Sequence, residues 1–103
     1  MIRVVCRKIP IRADCSSFPR LINRLTETVA TQPGFIRSDS FWCSNTTNGE
    51  IHSMSDWKSK AQWDNWYTSS DRHRILSDYT DTLHSEQYKV FIKKHPNFNI
   101  FLL

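Results

Sequence analysis

The sequence has 103 residues, of which 39% are hydrophobic and 13% are aromatic, so it is long and apolar enough for one packed domain over residues 1–103 and does not resemble a disordered chain. Its 14 basic and 10 acidic residues are scattered and give a formal charge of +4, which does not by itself indicate nucleic-acid binding. The pattern predicts no membrane span and no secretory signal, and three cysteines without CxxC spacing are typical of reduced thiols, so we expect a cytoplasmic protein.

The first part of the chain predicts a strand, a helix and a second strand. Residues 2–9 are rich in β-branched side chains, as a strand would be. Ser16 and Ser17 offer a helix N-cap. They precede an apolar stripe with helical spacing, formed by Phe18, Ile22, Leu25 and Val29. A Pro-Gly pair ends that helix near residue 32, and the second strand is predicted from residue 35.

A turn signal and a cap signal divide the middle of the chain. The dipeptide Asn48-Gly49 predicts a tight hairpin turn in which both residues have positive φ. A third strand, antiparallel to the second, then follows at about residues 50–56. Ser59 and Gln62 have the spacing of a capping box, which opens a helix over residues 61–67.

The last part of the chain predicts a second helical segment and a final strand. A serine-rich cap at residues 69–71 precedes a second apolar stripe, formed by Ile75, Leu76, Tyr79 and Leu83. The fourth strand is predicted from residue 87. The order β-α-β-β-α-β, with the second helix in two pieces, is that of a ferredoxin-like α+β sandwich with an antiparallel sheet. In that fold the first and fourth strands are neighbours.

Both faces of the predicted sheet carry apolar side chains, because Val4 and Val5 are adjacent and so are Phe91 and Ile92. One face is covered by the helices. The other needs a second cover, and another copy of the same sheet is the simplest one, so we expect a homodimer. The apolar segment 99–103 is predicted to dock on the partner subunit.

Three stretches with characteristic order and spacing carry a family resemblance: TQPGFIRSDSFW at 31–42, SMSDW at 53–57 and WKSKAQWDNWYTSSDRHR at 57–74. With them the chain resembles the antibiotic biosynthesis monooxygenase family, whose members are small dimeric α/β-barrel proteins. The resemblance implies a homodimer in which each subunit keeps a pocket between its own sheet and helices. It also implies cofactor-independent oxygenation of an aromatic or enolic small molecule.

Three of the four tryptophans lie within ten residues, 57–66, and they provide the first candidates for a site. Trp57, at a strand end, is expected to be structural. Trp63 and Trp66 are three residues apart on one predicted helix and share roughly one face. They either fill the core or stack on a planar substrate, and Trp66 is the catalytic candidate of the two.

Four further side chains complete the candidate set. His52 on the third strand is the predicted catalytic base, because an imidazole titrates near neutral pH. Cys6, His73 and Tyr79 are, with Trp63, the candidate substrate-binding residues. Each has a plain alternative as a core or surface side chain.

The sequence leaves other functions open. A non-catalytic dimeric module that binds a small ligand is one, because no clear set of base and donor is evident. Haem degradation is another, although Cys6 stands where haem-degrading relatives carry a first-strand Asn, and Leu76 or Ser77 stands where they carry a His. An RNA-binding sheet of the same order would have aromatic residues on its third strand, which EIHSMSDW lacks. No HxxxH or CxxC spacing predicts a metal, and the resemblance implies no cofactor.

Overall fold

The computed structural model describes residues 1–42 and 48–92, and these form four strands and three helices. In chain order they are β1 (Ile2–Pro10), α1 (Ser17–Val29), β2 (Phe35–Trp42), β3 (Ile51–Trp57), α2 (Lys60–Tyr67), α3 (Ser70–Asp78) and β4 (Leu83–Ile92). The predicted order of a ferredoxin-like α+β fold, with its second helix in two pieces, is confirmed. No helix of the described residues is both long and apolar enough to cross a membrane.

The four strands form one antiparallel sheet in the order β2-β3-β1-β4, so the first and fourth strands are neighbours as predicted. Side chains alternate between the two faces of a strand, and directly paired residues share a face. Val4, Cys6 and Lys8 of β1 therefore lie on the face that the helices cover, which we call the inner face. Arg3, Val5 and Arg7 lie on the opposite, outer face.

The core lies between the inner face and the helices. The amphipathic stripe of α1 buries Phe18, Leu21 and Leu25 against the sheet, and α3 adds Ile75. Trp57 is fully buried at the end of β3, where its Nε1 donates a 2.9 Å hydrogen bond to Ser55 Oγ. The expectation that Trp57 is structural agrees with this position, because the indole is packed on all sides and its one donor is satisfied.

The predicted capping box opens α2. The Ser59 hydroxyl accepts a hydrogen bond from the backbone N–H of Gln62 at 3.2 Å and donates to Gln62 Oε1 at 3.1 Å. Gly34, which precedes β2, has a φ of +84°, and a Cβ built there would lie 2.3 Å from the Gln62 side chain. The N-terminus of α1 is different: Ser16 has helical dihedral angles and makes no side-chain capping bond.

Two element boundaries differ from the sequence prediction. β4 begins at Leu83 rather than at residue 87, and α3 ends at Asp78 with Tyr79 as its C-cap. Leu83 therefore belongs to a strand and not to the helical stripe. The reason is pairing: β4 follows β1 to its end, where Pro10 lies opposite Leu83, and these ladder hydrogen bonds override a local apolar periodicity.

The predicted two-residue hairpin turn is also wrong in one respect. Gly49 has a positive φ of +72°, but Asn48 does not, so the two do not form a turn in which both residues are left-handed. Asn48 acts through its side chain instead, since its Oδ1 accepts a 3.2 Å hydrogen bond from the backbone N–H of Glu50. Residues 43–47 and the predicted C-terminal docking segment lie outside the described residues.

Candidate functional site

A cavity of about 90 Å³ lies between the inner face of the sheet and the three helices. All four strands contribute to its floor, and all three helices contribute to its walls. A wider groove of about 330 Å³ runs between α1 and β2 and shares Thr26, Ser38 and Ser40 with the cavity. A bound molecule therefore has a half-open cavity and an adjoining groove along the edge strand β2.

Aromatic rings form one wall of the cavity. Trp63 and Trp66 of α2 both line it and are each 7% exposed. The centroid of the Trp63 ring lies 5.2 Å from the ring centroid of Tyr67 and 5.1 Å from that of Tyr88. The ring centroids of the two tyrosines are 4.9 Å apart. Such a cluster offers a flat, polarisable surface to a planar molecule.

Four serine side chains form part of the floor. β2 contributes Ser38 and Ser40, β3 contributes Ser53 and Ser55, and the register places Ser38 opposite Ser55 and Ser40 opposite Ser53. The block is a consequence of the two-residue side-chain period, because an S-x-S pattern puts both hydroxyls on one face of a strand. This block is not among the site residues predicted from the sequence, although S-x-S on two consecutive strands is its signal.

Charged side chains gather at the end of the cavity that β4 and α3 enclose. Arg72 Nη2 donates to Glu86 Oε1, and the two side chains are only 12% and 15% exposed. The Arg72 guanidinium also lies over the Tyr67 ring, with Cζ 4.4 Å from the ring centroid. Lys8 lies opposite Glu86 in the β1–β4 register. None of these charged residues is among the site residues predicted from the sequence, because strand pairing and helix packing bring them together.

The protonation states of two cavity residues are biased by their surroundings. Burial raises the pKa of the Cys6 thiol, although Lys8 Nζ donates a 3.1 Å hydrogen bond to its sulfur and opposes the shift. A hydrogen bond with Tyr88 raises the pKa of the Tyr67 phenol, and burial adds to it. Both groups are therefore neutral near pH 7, as hydrogen-bonding groups rather than anions.

His52 lies away from the cavity. It pairs with Arg7 of β1 and Phe41 of β2, both on the outer face, and its ring is 5.7 Å from that of Phe41. Its Nε2 is 3.3 Å from Oε2 of Glu50, a buried carboxylate that also accepts from Arg7. The sequence predicts His52 as the catalytic base. The sheet separates its side chain from that of Trp66, so the structure does not bring the two together, and a catalytic role of His52 stays a prediction.

Two other candidates also lie outside the cavity. His73 is exposed on α3, and Tyr79 packs at the end of that helix, with the Arg24 guanidinium 5.6 Å from its ring centroid. Of the predicted site residues, the cavity thus brings together Trp63, Trp66 and Cys6. Their roles as catalytic or binding residues stay predictions.

Comparison with known proteins places this arrangement in a family. Residues 1–94 match the family model described as antibiotic biosynthesis monooxygenase. A search of curated proteins returns no match.

Solved structures share the fold at low sequence identity. SnoaB from Streptomyces nogalater, described as a cofactor-independent oxygenase, is 14% identical with a TM-score of 0.77, and the match covers 93% of this chain and 95% of that one. Rv0793 from Mycobacterium tuberculosis is 17% identical with a TM-score of 0.75, over 94% and 98% of the two chains. A conserved protein from Methanosarcina mazei Go1 is 19% identical with a TM-score of 0.75, over 90% and 92%. At these identities the structural likeness shows the fold alone.

Proposed function

The chain belongs to the antibiotic biosynthesis monooxygenase family, and from that premise we propose that it is a cofactor-independent monooxygenase acting on an aromatic or enolic small molecule. One observation carries the proposal. The buried indole of Trp66 borders a cavity that has an aromatic wall, a hydroxyl-rich floor and a charged end. The description of SnoaB as a cofactor-independent oxygenase adds support by analogy of fold.

The chemistry requires the substrate to supply the electrons. A phenol or enol that loses a proton becomes an electron-rich anion, which reduces O₂ and forms a carbon–oxygen bond to it. Loss of a second proton with cleavage of the O–O bond gives a new carbonyl, so one O₂ is consumed and one water is released. The protein has to accept the first proton, stabilise the anion and keep the reacting carbon away from bulk water.

Side chains of the cavity fit these tasks. Glu86 is the proton acceptor in this proposal: it is the one carboxylate among the described residues that line the cavity, and Arg72 contacts its Oε1. Neutral donors, the serine hydroxyls of the floor and the phenol of Tyr67, stabilise the developing oxyanion. Trp63 and Trp66 hold the planar substrate by stacking.

A homodimer is part of the proposal, through the outer face of the sheet. That face carries Phe41, whose side chain is 53% exposed, next to the partly buried Met54 and Val5. A sheet with apolar side chains on both faces needs a cover on each. A second copy of the same face is self-complementary about a two-fold axis and supplies that cover.

Haem degradation, one of the open alternatives, has less support. Cys6 lies on the cavity floor at the first-strand position where haem-degrading relatives carry an Asn. The exposed His73 does not line the cavity. The non-catalytic ligand-binding module is the alternative that an activity assay decides.

The experiment that tests the proposal is oxygen uptake with a panel of phenols, enols and anthrone-like compounds. We expect uptake without added metal, flavin or haem, matched by one new carbonyl per O₂, and a strong loss in Trp66→Phe. Uptake that requires an added cofactor would contradict the proposal. No uptake with any compound, together with binding of some of them, would favour the ligand-binding module.

A further inference from the structure

The lining of the cavity carries more positive than negative groups. Among the described residues of the lining, Lys8 and Arg72 are cationic and Glu86 is anionic, which leaves a formal charge of +1. The other polar groups of the lining are hydroxyls, phenols and the Cys6 thiol, and the raised pKa of that thiol keeps it neutral. A cation in a partly buried site attracts an anion more strongly than it does in water. The proposed oxygenation assigns no role to this excess charge.

Arg72 is held in place before any ligand arrives. Its Nη2 contacts Glu86, its Nη1 lies 3.5 Å from the backbone oxygen of Tyr67, and its Cζ lies 4.4 Å from the centroid of the Tyr67 ring. A guanidinium has five N–H donors, more than these two contacts use. A side chain that is already ordered loses little conformational entropy when a ligand binds to it. Arg72 therefore has the properties of a preorganised anion-binding group.

Lys8 provides the second cation at the charged end of the cavity. Its backbone is fixed between β3 and β4 in the centre of the sheet, opposite Ile51 on one side and Glu86 on the other. Its Nζ donates a 3.1 Å hydrogen bond to Cys6 Sγ, and this bond holds the ammonium at the cavity floor. An ammonium has three donors, so this contact leaves capacity for an incoming oxygen atom.

The aromatic wall is next to this charged end. The Arg72 guanidinium lies over the Tyr67 ring, and the Tyr67 ring is stacked on the Trp63 ring. A molecule whose ring lies against Trp63 therefore has its edge close to Arg72. Lys8 approaches the same wall through Cys6, which lies opposite Tyr88 in the β1–β4 register. The cavity volume of about 90 Å³ is smaller than the roughly 150 Å³ of an apolar cavity that binds benzene, so it holds one ring at most. Larger parts of a substrate extend into the groove beside β2.

We propose that the substrate is an acid: a phenol or enol whose ring carries a carboxylate, with that carboxylate bound between Lys8 and Arg72. The proposal rests on the proposed function in placing the substrate in this cavity, and it adds the chemical class. Arg72 contributes a planar pair of donors that suits a carboxylate, and Lys8 contributes a point charge. Glu86 orients Arg72 and, by its own charge, disfavours a second anionic group on the ligand.

The test is a comparison of an acid with its uncharged amide. Isothermal titration calorimetry with 2-hydroxybenzoate and 2-hydroxybenzamide is expected to give at least about tenfold tighter binding of the acid to the wild-type protein, the effect of one charge-assisted contact. Arg72→Gln and Lys8→Gln are each expected to weaken binding of the acid about tenfold and to leave the amide unchanged. Arg74→Gln, an exposed position on the same helix, is the matched control and is expected to bind like the wild type.

Three results would overturn the inference: equal affinity for acid and amide, equal loss in Arg74→Gln and Arg72→Gln, or no binding of the acid. Circular dichroism shows whether each variant is folded, and Lys8→Gln decides the matter if Arg72→Gln is not. Oxygen uptake separates this inference from the proposed function. Acid-selective binding without uptake by any compound supports the inference and contradicts the oxygenase, whereas uptake that favours neutral phenols over their carboxylates contradicts the inference and supports the oxygenase.

Discussion

Arg72 of α3 and Glu86 of β4 form an ion pair that joins the last helix to the edge strand at the charged end of the cavity. Both side chains are mostly buried, so the pair is shielded from the screening that weakens surface ion pairs. The ion pair orients the Arg72 guanidinium and keeps a carboxylate inside the cavity. It also holds α3 against the sheet.

Replacing Glu86 tests its role as proton acceptor. Glu86→Gln keeps the shape and a hydrogen-bond acceptor for Arg72 but cannot take up a proton, so we expect kcat for oxygen consumption to fall by at least about 100-fold. Substrate binding, measured by calorimetry, should change much less. Glu27→Gln makes the same chemical change at an exposed position of α1 and serves as the control. A Glu86→Gln protein with wild-type kcat would exclude this carboxylate as the base.

Two tryptophan substitutions separate function from stability. Trp66→Phe changes the wall of the cavity, and we expect it to lower kcat/KM about tenfold or more, since about 1.4 kcal/mol of lost transition-state contact has that effect. Trp57→Phe removes a fully buried indole and its hydrogen bond to Ser55, and we expect it to lower the free energy of unfolding by about 1–3 kcal/mol. Chemical denaturation and oxygen uptake on both variants check the pair. A folded Trp57→Phe protein without activity, together with an active Trp66→Phe protein, would contradict the placement of the site.

A charge on the outer face tests the homodimer. Phe41→Glu places a carboxylate where a second copy would bury an aromatic ring, so we expect sedimentation equilibrium to show a mass falling from twice 12.2 kDa to 12.2 kDa. Met54→Glu, at the centre of the same face, should act in the same way. Ser77→Glu, an exposed position on α3, is the control. Dimers of unchanged affinity in both outer-face variants would rule this face out as the interface.

The buried carboxylate of Glu50 predicts a pH dependence of stability. A hydrogen bond from Arg7 lowers the pKa of Glu50, with a further contribution from His52 and with burial acting in the opposite direction. Because the folded pKa is below the unfolded value of about 4.3, the stabilisation is fully present above that pH and is lost as the pH falls through the folded pKa. The difference in unfolding free energy between wild type and Glu50→Gln should therefore be larger at pH 7 than at pH 3. Equal differences at the two pH values would show that the ion pair contributes nothing.

The chain order of the elements was readable in the sequence because local signals fix it. The Pro-Gly break after α1, the Ser59–Gln62 capping box and the β-branched first strand each act over a few residues, and each appears in the structure where it was predicted. The spacing of Trp63 and Trp66 likewise fixes that both lie on one side of α2. These features depend on backbone preferences and helix geometry, which neighbouring residues determine by themselves.

Strand register is different, because it depends on residues that are far apart in the chain. The pairing of β3 with β1 puts His52 on the outer face, and a shift of one residue would have put it in the cavity. The pairing of β4 with β1 extends β4 back to Leu83 and brings Glu86 within reach of Arg72. The sequence by itself therefore determined the order of the elements, the family and the shared side of Trp63 and Trp66 on α2. The tertiary structure alone decided which polar side chains share the cavity, since hydrogen bonding between distant strands sets the face on which each one lies.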